Sequence, residues 1–145
     1  MAHKKKISLL IAEDDPDHRM FMEEALEEEA LADEVQFVTD GQELLDCLCG
    51  EGKYSGQPCM DPTLILLDLN MPKKDGREAL REIKQDARFK HIPVVIFTAS
   101  KADEDILESY NYGASGYVSK PVTYKGLLEV MQKLKLYWRD TVALP

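Results

Sequence analysis

The 145-residue chain is predicted to be an α/β protein, a parallel five-stranded sheet doubly wound by helices. Three observations predict it. Short β-prone runs alternate with segments of helical periodicity, the pattern of a parallel sheet covered on both faces. Three of those runs, Leu9-Leu10-Ile11, Leu64-Ile65-Leu66-Leu67 and Val94-Val95-Ile96-Phe97, are continuously apolar, as in strands buried on both sides. Four runs end in a polar or ionisable residue, which suits an open sheet whose ligand site lies at the carboxyl ends of its strands.

In chain order the strands are expected at Ile7 to Ala12, Glu34 to Thr39, Thr63 to Leu67, Pro93 to Phe97 and Ser115 to Ser119. After the first, Pro16 suits the opening turn of a helix running to about Ala30, with Phe21, Met22, Ala25 and Leu26 spaced to face the sheet. Asp40 can cap a helix carrying Leu44, Leu45 and Leu48, and Asp75 another carrying Ala79, Leu80 and Ile83. A fourth helix, about Ala102 to Tyr112, stops before Gly113, a residue suited to a left-handed terminus. The fifth spans about Tyr124 to Trp138, and Gly50 to Pro62 is the longest expected loop.

One domain is expected over 1–145, with its core at about 6–138 and a short extension at 139–145. With 44% apolar and 31% charged residues, the composition is that of a globular protein. A net charge of −9 argues against direct nucleic-acid binding, which depends on Lys and Arg neutralising phosphates. The apolar run after the basic start is too short for a secretion signal, and none approaches the ~20 residues of a membrane helix. A cytoplasmic protein is expected. Cys47, Cys49 and Cys59 lack metal-ligand spacing and read as reduced thiols.

The strand ends carry the chemistry: Glu13-Asp14-Asp15 after the first, Asp68 after the third, Thr98 after the fourth and Lys120 after the fifth. Carboxylates brought together at one rim repel unless a cation lies between them. Mg²⁺ fits, because it takes one or two carboxylates, keeps several waters and bridges to phosphate oxygens. A hydroxyl and an ammonium suit a phosphoryl group in transfer, and a carboxylate can be its nucleophile.

Asp68-Leu69-Asn70-Met71-Pro72, then Asp75-Gly76, Thr98 thirty residues after Asp68, and Lys120-Pro121 twenty-two after Thr98 resemble the receiver domain of two-component response regulators across essentially the whole chain. That resemblance implies a flavodoxin-like (βα)5 fold with strand order 2-1-3-4-5. It implies that Asp68 accepts a phosphoryl group from a sensor histidine kinase, and that Glu13, Asp14, Asp68 and the Asn70 carbonyl hold Mg²⁺. Thr98 and Lys120 would bind phosphoryl oxygens, Tyr117 would be the aromatic that turns inward on switching, and Pro121 would follow a cis bond. Such a protein catalyses only its own phosphorylation and dephosphorylation.

The sequence around Asp68, the longer loop before it and the tail Tyr137-Trp138 to Val142-Ala143-Leu144-Pro145 look like the single-domain regulators that serve bacterial phytochrome histidine kinases. A homodimer is expected through the fourth helix, fifth strand and fifth helix, with Trp138, Val142 and Leu144 as apolar anchors. A phosphorelay intermediate and a receiver-like binding module without phosphorylation are alternatives. A flavin carrier would need a phosphate loop in place of Glu13-Asp14-Asp15, and an aspartyl-phosphate phosphatase a second Asp where Asn70 stands.

Overall fold

The computed structural model describes residues 6–57 and 60–141. Five parallel strands, β1 (Ser8–Ala12), β2 (Glu34–Val38), β3 (Leu64–Leu67), β4 (Val94–Thr98) and β5 (Gly116–Ser119), form one sheet in the order β2-β1-β3-β4-β5. The connecting helices are α1 (Pro16–Glu29), α2 (Gly41–Cys49), α3 (Gly76–Gln85), α4 (Asp103–Asn111) and α5 (Tyr124–Lys135). This is the order expected of the fold. Because β1 lies between β2 and β3, the direction of winding reverses there, which opens a crevice at the carboxyl ends of β1 and β3.

Strand alternation divides the core in two. Leu10, Ile65, Leu67, Val94 and Ile96 point toward α2 and α3, where Leu44, Leu48, Leu80 and Ile83 meet them. Leu9, Ile11, Leu64, Leu66 and Phe97 point the other way, onto α1 and α5. Each fully buried Leu or Ile contributes about 1.5–3 kcal/mol, which is why the three apolar runs form the sheet's centre.

Four helix starts are capped by a side chain. Asp40 and Asp75 do this as expected, and Thr123 caps α5. Asp15 caps α1 by accepting from the backbone amides of Asp17 and His18, so the third acid of the run serves the helix rather than the rim. Gly113 follows α4 with φ 101°, as anticipated.

Some expectations fail. Phe21 is 44% exposed while its neighbours Met22, Ala25 and Leu26 are buried, because four apolar residues span more of the helix circumference than the sheet can cover. The long loop contains a short 3₁₀ turn at Gly52–Tyr54. The last helix changes to π-helical geometry over Leu136–Thr141, and Trp138 packs back on its own core at 8% exposure. A large indole so placed gains more from the adjacent core than from standing free for a partner. Val142, Leu144 and Cys59 lie outside the described residues. Cys47 and Cys49 are free thiols whose pKa burial pushes up.

Candidate phosphoryl-acceptor site

Register builds the site. Ala12 pairs with Leu67 and Leu67 with Ile96, so the residues that follow each strand emerge at one edge. The Asp68 amide donates to the Ala12 carbonyl at 3.2 Å, and the Lys120 amide to the Thr98 carbonyl at 2.8 Å. Four residues separated by up to 107 positions thereby share one rim.

Asp68 is 5% exposed, and each of its oxygens is engaged. Oδ1 accepts from the Thr98 hydroxyl at 2.8 Å and from the Asn70 amide at 3.1 Å. Oδ2 accepts from Lys120 Nζ at 2.7 Å. The ammonium also contacts Glu13 Oε1, and it lies 3.4 Å from His18 Nδ1. Burial alone would lower the Lys120 pKa, but the carboxylates of Asp68 and Glu13 outweigh it and hold the group above its ordinary value. Glu13 is 1% exposed and its other oxygen accepts from the Asp15 amide at 3.2 Å, whereas Asp14 faces solvent.

Glu13, Asp14 and Asp68 each offer a carboxylate oxygen, all within 4.8 Å of one another. Three carboxylates face one ammonium, a local excess equal to the charge of one divalent cation. Oxygen donors, excess negative charge and one solvent-facing member are what a hard, partly hydrated ion takes. The donor set therefore fits such a metal.

The loop after β3 is held from below. Gly76 donates its amide to the Leu69 carbonyl at 2.9 Å, and a Cβ at that position would stand 2.1 Å from the Asp68 carbonyl oxygen. Only glycine lets the first turn of α3 approach the segment bearing Asp68 so closely. Asn70 is exposed beside it.

Tyr117 does not touch the carboxylates. Its half-buried ring packs on the core and its hydroxyl donates to the Ser100 carbonyl at 3.0 Å. Tyr117 thus lies inward here, while the Thr98 hydroxyl is bonded to Asp68. The Lys120–Pro121 bond is trans, contrary to expectation. Trans is favoured by ~0.5–1 kcal/mol at X–Pro bonds, and the lysine reaches both carboxylates without a cis turn.

Beside Lys120 opens a cleft of about 510 Å³ whose lining includes the polar Glu13 and His18 together with Ala99, Phe21, Val122 and Tyr124. The exposed Phe21 thus belongs to the approach to the site. His18 was not distinguishable in the sequence, since its nearness to Lys120 depends on α1 and β5 meeting at the rim.

Residues 9–132 match the family described as the response regulator receiver domain. Response regulator Rcp1 of Synechocystis sp. is 39% identical over 140 residues, covering 97% of this chain and 93% of its own. The solved structure of the phosphorylated cyanobacterial phytochrome response regulator RcpA is 38% identical, covers 99% of both chains and superposes with a TM-score of 0.87. The Mn²⁺-bound form of Rcp1 is 38% identical with a TM-score of 0.86, over 97% of this chain and 99% of that one. With this family match and a rim of three carboxylates, a hydroxyl and an ammonium, the chain belongs to the response regulator receiver domain family.

Proposed function

We propose that this protein is a single-domain response regulator that takes a phosphoryl group from a histidine kinase onto Asp68 and changes its surface in consequence. The observation that carries it is the engagement of both Asp68 oxygens by groups able to follow a phosphoryl group, Thr98 and Lys120. An Asp68 oxygen forms the new P–O bond while the P–N bond of the donor phosphohistidine breaks, and the leaving nitrogen keeps the electron pair. Lys120 and Thr98 are near enough to turn from the carboxylate to the phosphoryl oxygens.

Glu13, Asp14, Asp68 and the Asn70 carbonyl would hold Mg²⁺. The ion, when bound, offsets the charge of the entering phosphoryl group. The cleft beside Lys120, with Phe21 and Val122 exposed, receives the donor. Similarity to Rcp1 and RcpA supports a phytochrome-type kinase as that donor. The site acts on its own Asp68 rather than turning over a substrate, and a cytoplasmic location follows from such a partner. Incubation with acetyl phosphate and Mg²⁺ is expected to add the mass of one phosphoryl group, measured on the intact protein, and chelation to prevent it. No gain in mass would overturn the reading.

We also propose a homodimer through α4, β5 and α5. Support lies in Leu107 (63% exposed), Tyr110 (49%) and Tyr137 (55%) rather than in the buried Trp138. Sedimentation is expected to show a dimer at micromolar concentration that Tyr110→Glu weakens. Equal monomer fractions in the two would exclude this face.

A further inference from the structure

A second polar chain runs beside the site, and phosphoryl transfer does not use it. It starts at α3, whose first residue Gly76 is locked against the Asp68 segment. The next residue, Arg77, reaches across to α4, with Nη2 2.8 Å and Nε 3.2 Å from Asp105 Oδ1. Asp105 Oδ2 accepts from the Ser100 hydroxyl at 2.6 Å. The Ser100 carbonyl in turn accepts from the Tyr117 hydroxyl. Hydrogen bonds therefore connect the segment bearing Asp68 to β5 by a path that bypasses Thr98.

The pair is sheltered, with side-chain exposures of 28% for Arg77 and 17% for Asp105. Screening by water is weaker for such a pair than for a fully exposed one. The Ser100 hydroxyl and Arg77 hold the Asp105 carboxyl below its usual range, so the pair stays charged around neutral pH. What it grips is the Ser100 hydroxyl, two residues past Thr98, which in turn accepts from the Ala102 backbone amide at 3.3 Å. The loop between β4 and α4 is thus tied at both ends, by Thr98 to Asp68 and by Ser100 to Asp105. Tyr117 keeps this acceptor only while the Ser100 carbonyl stays in place.

We propose that Arg77 and Asp105 are positioning residues that hold this loop, and through it Tyr117, in the inward arrangement before a phosphoryl group arrives. The effect on phosphorylation rests on the assignment of Asp68 above; the effect on Tyr117 does not. Two sites that share one held element are coupled, and couplings of this kind begin at about fivefold.

The test uses the whole chain with isotope-labelled tyrosine. In unphosphorylated Arg77→Ala, the Tyr117 ring resonances are expected to move toward solvent-exposed values, and labelling by acetyl phosphate to slow by about fivefold or more. Arg77→Lys keeps the charge without the two-point contact and is expected to lie between. Arg88→Ala, which breaks the exposed pair with Asp86 far from the loop, is expected to change neither readout. If Arg77→Ala does not fold, Ser100→Ala, which cuts the path and leaves the ion pair, takes its place. An unmoved Tyr117 in the folded variant overturns the proposal. A wild type that accepts no phosphoryl group overturns the Asp68 assignment instead, with the tyrosine comparison still deciding the clamp.

Discussion

Asp68→Asn is expected to take up no phosphoryl group from acetyl phosphate under conditions that label the wild type fully. An amide at this position is nearly isosteric, so the Thr98 and Asn70 contacts to Oδ1 can persist. What disappears is the anionic oxygen now paired with Lys120 at 2.7 Å, the nucleophile of the proposed transfer. Intact mass is the direct measurement, with the fold checked by circular dichroism. A variant that gains the same mass as the wild type would place the acceptor elsewhere, and Asp14 would be the next candidate because it shares the cluster.

Lys120→Met is expected to lower the stability of metal-free protein by about 3 kcal/mol, since removing one partner of a buried ion pair leaves the other charges uncompensated. Here two carboxylates are stranded together, Glu13 at 1% and Asp68 at 5% exposure. Divalent cation should recover much of the loss, because it supplies the missing positive charge to the same oxygens. Urea denaturation with and without Mg²⁺ measures both effects. Lys120→Arg separates charge from shape. It should keep most of the stability yet transfer phosphoryl groups poorly, since a planar guanidinium cannot take the place of a compact ammonium between two oxygens. A Lys120→Met protein as stable as the wild type without metal would mean that the carboxylates are better solvated than their burial indicates.

The sequence by itself determined the alternation of strands and helices, because continuous apolar runs and 3.6-residue periodicity are local signals. It determined the caps at Asp40 and Asp75 for the same reason: a side chain bonding an amide two or three residues away needs nothing distant. The rim residues were legible as well, since a parallel sheet brings the ends of its strands to one edge. Tertiary structure alone decided the rest. Whether Phe21 faces the sheet or the cleft depends on the width that β1, β3 and α5 leave for α1, and whether Trp138 is covered depends on how the end of α5 folds back. Asp15 follows Glu13 and Asp14 as one more acid at the strand end, and only the turn into α1 shows that it caps the helix. The Arg77–Asp105–Ser100–Tyr117 path joins residues from three elements and a loop, each ordinary in its own stretch. Long-range contacts of that kind leave no periodicity or spacing in the chain. They exist only where packing has brought the charges together.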